Sequence, residues 1–269
     1  MNRNLFKKEM RMNLPNLIIW MAVIILLMSV TMSAYPIFLE NQAKILDLMK
    51  LFPEGMLQFK GISNVNDLLS VFGFYTANNL IYMMVLGSVF SIVLSSNILL
   101  KEEYNNTAEY LLSRPISRSE VFLSKLAVIV LNIFLLNLVT AFAGFVSIEL
   151  VKSGPFSIKA FLILSFNTML LTYLFGALGL FISTLIRRAK PFTVFGIALV
   201  LIFYFIYNIA KIAESVAFIG YVSPFYYVDA DAINPDPGVK IGTLAYFVGI
   251  SVLLTALSYW IYKKKDIYT

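Results

Sequence analysis

Six windows of this chain contain no charged side chain. They lie between Arg11 and Glu40, Asp67 and Lys101, Lys125 and Glu149, Lys159 and Arg187, Lys190 and Lys211, and Lys240 and Lys263. Each is long enough to cross a bilayer, because a helix rises about 1.5 Å per residue and about 20 residues traverse the hydrocarbon. A charge at the centre of such a helix costs about 2.5–3.5 kcal/mol on insertion, which gives the windows a physical cause. Charged residues make up 13% of the chain and hydrophobic residues 59%, where soluble domains carry about 25% charged residues. The expected fold class is all-α: a polytopic membrane protein with six transmembrane helices near Leu17–Tyr35, Tyr75–Leu100, Leu123–Leu150, Phe161–Ile186, Phe192–Ile209 and Leu244–Tyr262. Residues 1–269 form a single transmembrane domain, with no room for a soluble one.

The first span follows a basic stretch, as a signal peptide's apolar core does. Its apolar run exceeds the usual 7–15 residues and no small-residue cleavage site follows, so it reads as a retained helix. Orientation comes from the flanks. With the N-terminus inside, the inner side holds Arg3, Lys7, Lys8 and Arg11, then Lys101, Arg114, Arg118 and Lys125, then Arg187, Arg188 and Lys190, then Lys263, Lys264 and Lys265. The outer side holds half as many: Lys44, Lys50, Lys60, Lys152, Lys159, Lys211 and Lys240. This bias places both termini in the cytoplasm of a cell-membrane protein. The net charge of +6 is then a topology signal, with no nucleic-acid partner implied. The chain has no cysteine, hence no disulfide and no thiolate metal site.

Residues 1–16 read as an interfacial helix, with Phe6, Met10 and Leu14 near one side and Lys7, Lys8 and Arg11 toward anionic headgroups of membrane lipids. The outer segment 36–71 carries Ile45, Leu48, Met49 and Phe52 at helical spacing before Pro53 and Gly55. A second outer segment, 210–243, holds an aromatic cluster suited to the interfacial belt and the turn sequence Asn234-Pro-Asp-Pro-Gly238. Either segment could cap an exit path or serve interfacial packing.

The inner loops are short except for KEEYNNTAEYLLSRPISR, residues 101–118. On a helical wheel Tyr104, Ala108, Leu111 and Leu112 share one face, and Glu102, Glu103, Asn105, Asn106 and Glu109 lie opposite. Arg114-Pro115 stops the helix, because proline disfavours helical geometry in the residue before it. Ser117-Arg-Ser-Glu120 then fits a capping box opening the third span. A solvated connector is the plain alternative, but helix connections usually run about 2–8 residues. An apolar stripe flanked by acids suits a protein groove better than an anionic leaflet. Asn105-Asn106-Thr107 also fits a glycosylation acceptor, which the inward topology discounts.

EEYNNTAEYLLSRPISRSEVFLSK resembles the signature of type-2 ABC exporter permeases, in which a Glu-rich stretch leads to a Thr, a Glu, a Leu pair, a Pro and an Arg. Here these are Glu102, Glu103, Thr107, Glu109, Leu111, Leu112, Pro115 and Arg118, with Lys125 beyond. Asn106 replaces the usual glycine before the threonine. Tyr221-Val-Ser-Pro-Phe225 and Lys264-Lys265-Asp266 resemble the family's closing features, so the likeness covers the whole chain. It implies a permease subunit paired with a second permease, as homo- or heterodimer, and with two copies of a separate ABC ATPase subunit that bind ATP and Mg. Segment 101–118 would be a cytoplasmic coupling helix lodged in the ATPase, its contact lined by Glu102, Glu103, Tyr104, Thr107, Glu109, Leu111, Leu112, Arg114, Pro115 and Arg118.

The spans carry almost no ionisable groups, which argues against a proton relay or an ion-coupled transporter. The chain also has no Gly-Lys dipeptide and hence no phosphate-cradling loop, so ATP hydrolysis belongs to another polypeptide. Their polar residues are amides and hydroxyls such as Asn78, Asn79, Asn97, Asn132, Asn137, Asn167, Thr168 and Asn208, expected to bond between helices. Gly87, Ser91 and Ser95, with Gly176, Gly179 and Ser183, permit close helix approach. Met21 and Met28 in span one and Phe195, Tyr204 and Asn208 in span five could wall an apolar translocation route, or face lipid. Such a route suits outward movement of amphipathic or hydrophobic cargo: a peptide, a lipid-like molecule or a drug. An enzyme is disfavoured. The chain has no histidine, and no arginine follows Glu102-Glu103 at the helical step an intramembrane protease would need. The alternative is an ATPase-independent membrane immunity or anchoring protein.

Overall fold

The computed structural model describes residues 1–49, 68–104, 116–152, 154–186, 193–212, 214–228 and 238–264. No strand occurs among them. In chain order, α1 is Arg3–Ser33, α2 Tyr35–Glu40 and α3 Gln42–Met49. α4, Val71–Ile81, passes through a π-helical turn, Tyr82–Leu86, into α5, Gly87–Tyr104. Then follow α6, Arg118–Val151, α7, Ile158–Leu185, α8, Thr193–Ile212, and α9, Ile241–Lys264. Two 3₁₀ segments, Glu214–Val222 and Pro224–Tyr227, lie between α8 and α9. Six helical stretches are long and apolar enough to cross a membrane: α1 with α2, α4 through α5, and α6, α7, α8 and α9. The six charge-free windows each became one of them.

The N-terminal segment departs from expectation. Instead of a separate interfacial helix ending near Pro15, α1 runs unbroken from Arg3 to Ser33 with Pro15 inside it. Asn2 starts it by accepting hydrogen bonds from the amides of Asn4 and Leu5. Leu5, Glu9, Leu17, Ile24, Met28 and Met32 are buried at helical spacing on one stripe, and α1 packs chiefly along α6. One packed face thus runs through the basic turns and the apolar span alike. That continuity outweighs the proline, which lipid-embedded helices tolerate. Phe6 and Met10 pack partly against the core, while Leu14 is exposed.

The second span is the axis: 78% of its most apolar window is buried, against 11% for the sixth. Its closest partner is α7, and the small residues say why. A Cβ on Gly179 would stand 2.5 Å from the backbone oxygen of Ile92 on α5. The two helices therefore touch backbone to side, as small residues allow in lipid. Gly144 of α6 admits Met28 and Tyr75 in the same manner.

Most span amides turn back on their own helix. Asn78, Asn132, Asn137 and Asn208 each donate to the carbonyl four residues earlier. Three cross between helices: Asn97 to Thr193, Asn137 to Thr172 at 2.9 Å, and Asn132 to the Met10 sulfur of α1 at 3.1 Å. The expected interhelical bonding is thus the lesser part, because a carbonyl one turn away is nearest at hand where water is absent.

Between the first two spans, α3 supplies the expected short helix, with Ile45 against the core and Leu48 exposed. Phe52, Pro53, Gly55 and most of the Asn234–Gly238 turn lie outside the described residues. Within Tyr221–Phe225, the hydroxyl of Ser223 donates to the carbonyl of Phe203 at 2.7 Å. Phe225, fully buried, sits against the rings of Phe175 and Tyr204. This motif plugs the chain back between α7 and α8 before the last span begins.

Candidate functional site

The polar segment 101–118 leaves the end of α5 and returns at the start of α6, and both roots are held. At the outgoing root, Lys101 forms an ion pair with Glu9 of α1. Glu9 is 1% exposed and Lys101 22%. Taking a carboxylate out of water is tolerated only where a partner meets it, and Lys101 is that partner. At the returning root, the hydroxyl and amide of Ser117 both donate to the carboxylate of Glu120 at 3.0 Å, and the Glu120 amide donates to Ser117 Oγ at 3.2 Å. The capping box read from the sequence is formed in full. The hydrogen bonds from Ser117 hold the Glu120 carboxyl below the usual carboxylate range.

One turn further on, α6 is pinned from three sides. The amide of Asn2 donates to Ser124 Oγ at 2.8 Å, tying the first residues of the chain to the third span. Lys125, 1% exposed, donates to the carbonyl of Ile98 on α5. Ser119 Oγ and the Tyr259 hydroxyl lie 2.9 Å apart, and Phe122 packs edge-on against Tyr259 and beside Tyr262 of α9. Four helices, α1, α5, α6 and α9, therefore converge on the two feet of one polar segment.

Of the residues expected on the segment's contact face, Arg118 stands at the first turn of α6 and the backbone of Glu102, Glu103 and Tyr104 completes α5. Thr107, Glu109, Leu111, Leu112, Arg114 and Pro115 lie outside the described residues. The residues named for an apolar route fall into two groups. Met28 is buried against Gly144 and Tyr75 where α1 meets α4 and α6, with Met21 partly buried on the same helix. Tyr204 and Asn208 belong to the packing of α8 on Phe225, joined by a hydrogen bond from the Asn208 amide to the Tyr204 carbonyl. Phe195 points outward on α8. The two groups thus sit on different helix pairings.

The Glu9–Lys101 pair lies outside the sequence expectations. The signal was there: Glu9 is the sole acid before Glu40, and it falls four residues after Leu5 and eight before Leu17 on the buried stripe. No group of metal-ligating side chains occurs among the described residues.

Six spans, a polar segment between the second and third with both feet clamped, and a motif-bearing turn before the last span describe a transport subunit's frame. Residues 3–267 match the family described as ABC-2 family transporter protein. The chain belongs to that family. It is accordingly a multi-pass membrane protein and a permease component of an ABC-2 transporter, a family that normally works with an ABC ATPase partner. No curated protein matches it.

Proposed function

We propose that this permease is the membrane half of an exporter, moving amphipathic or hydrophobic cargo outward by alternating access. Two ATPase subunits, binding ATP and Mg, drive it, and a second permease subunit completes the assembly. Both termini face the cytoplasm, so segment 101–118 is the coupling helix and docks in the ATPase through Glu103, Thr107, Glu109, Leu111, Leu112 and Arg118. The clamped feet of that segment support the reading most directly. A push delivered between Lys101 and Ser117 reaches α1 through Glu9, α5 through Ile98 and α9 through Tyr259. A floppy attachment would dissipate the same displacement locally. The near absence of ionisable groups within the spans suits apolar cargo and leaves ATP as the energy source.

The test is co-expression with an ABC ATPase, purification and ATPase measurement in lipid against a panel of peptides, lipids and drugs. A stable complex whose hydrolysis rises with one cargo class is expected. Failure to form any complex would overturn the reading.

A further inference from the structure

Between α6, α7 and α9 lies an apolar groove of about 700 Å³, within the roughly 300–1,000 Å³ of pockets that enclose drug-sized ligands. Its walls run from Phe122 to Ile133 on α6 and from Phe247 to Tyr259 on α9, with Gly176 and Ala177 forming a small-residue floor on α7. No charged residue lines it. Eleven helical steps from Phe122 to Ile133 span about 16 Å, close to half of a roughly 30 Å hydrocarbon core. The groove is one leaflet deep.

Its chemistry is graded along that depth. At the end where α9 terminates, Tyr259 is bonded to Ser119, Trp260 is exposed, and Lys263 and Lys264 follow. Lys264 lies over the Trp260 ring at 3.9 Å. Aromatic rings beside cations mark the headgroup level. Away from that end only aliphatic and aromatic walls remain, apart from the Ser251 and Thr255 hydroxyls and Tyr173, whose hydroxyl donates to the Val130 carbonyl.

We infer that this groove holds an acyl chain of an acidic phospholipid from the leaflet at the C-terminal end of α9, with the phosphate of that lipid beside Lys263. Cationic mouth, uncharged walls and one-leaflet length fit such a molecule at both ends at once. A second protein helix would leave the cations without a counterpart. The site is also placed to matter: Phe122 and Tyr259, at its mouth, belong to the foot of segment 101–118. A seated chain thus stiffens α9 against α6, where the packing of the sixth span is thinnest.

The experiment uses the full chain in vesicles with trace phospholipid bearing a photoreactive acyl chain, read by mass spectrometry of labelled peptides. It contains no transport or ATPase step, so its outcome is independent of the exporter reading. Label is expected in the groove walls, about fivefold stronger from an acidic than from a zwitterionic probe, with that preference lost in Lys263→Gln. Ala256→Phe fills the groove from its exposed rim and is expected to lower wall labelling about tenfold, whereas Leu253→Phe, on the neighbouring exposed face outside it, leaves labelling unchanged. Label spread evenly over all lipid-facing helices, no preference for the acidic probe, indifference to Ala256→Phe, or cross-linking of two copies through Ala256→Cys would each overturn the inference.

Discussion

The carboxylate of Glu9, two turns into α1, closes on the ammonium of Lys101 at the end of α5. The two halves of this pair are unequal, because Glu9 is sealed from solvent and Lys101 is about one-fifth exposed. The bond joins the beginning of the chain to the foot of the segment between spans two and three, across a sequence distance that no local pattern bridges.

That inequality makes the pair's mutants asymmetric. Lys101→Met strands a buried carboxylate and is expected to destabilise by about 3–5 kcal/mol, whereas Glu9→Gln leaves a lysine able to reach water and costs clearly less. The double variant Glu9→Leu/Lys101→Met removes both charges and recovers most of the loss. Thermal unfolding of the purified permease in detergent, analysed as a double-mutant cycle, measures the coupling.

The contact of α5 with α7 gives a paired expectation. Gly179→Ala drives a methyl into the backbone of Ile92, and overpacking of this kind costs about 1–3 kcal/mol. Gly249, in the middle of α9, has open space where its Cβ would stand, so Gly249→Ala is expected to stabilise by about 0.5–1 kcal/mol through helix preference alone. Melting temperatures of the two variants, measured side by side, should move in opposite directions.

The span count, the small-residue helix contact and the Ser117–Glu120 cap were legible in the sequence, because each rests on a local period or a short spacing. The Glu9–Lys101 pair was harder to see, since its partners are long-range and Glu9 looked like one member of a basic flank. The unbroken helix through Pro15 departs from the sequence expectation for a related reason. Proline ends helices by local geometry, but the stripe from Leu5 to Met32 packed on α6 is a tertiary effect. The groove between α6, α7 and α9 had no sequence signature, because its walls come from three separated helices.

Topology can be checked with the chain's own composition. It contains no cysteine, so Ser113→Cys supplies a single thiol within segment 101–118. A membrane-impermeant maleimide is expected to label it only after cells are permeabilised, while Ser63→Cys, a separate variant in the outer segment, reacts in intact cells. In the same background, Glu109→Lys or Arg118→Glu is expected to leave insertion normal and to abolish cargo-stimulated ATPase activity. Unchanged stimulation in both variants would remove segment 101–118 from the coupling path.

The Ser117–Glu120 cap carries a pH dependence whose sign follows from its hydrogen bonds. Both donors of Ser117 favour the ionised carboxylate of Glu120 and lower its native pKa. A lowered native pKa means that the stabilisation is complete above the ordinary glutamate value of about 4.3 and is lost as pH falls through the lower native value. The first turn of α6 should therefore hold its amide protons firmly at neutral pH and fray only under more acid conditions than a free glutamate would require. Glu120→Gln keeps a side chain able to reach the Ser117 amide but cannot titrate, so its fraying should be flat across that range. Ser117→Ala, which removes the cap hydroxyl, is expected to loosen the turn at every pH by about 1 kcal/mol. Hydrogen exchange over residues 117–122, followed from neutral to acid pH in the three proteins, distinguishes a titrating cap from a merely helical start.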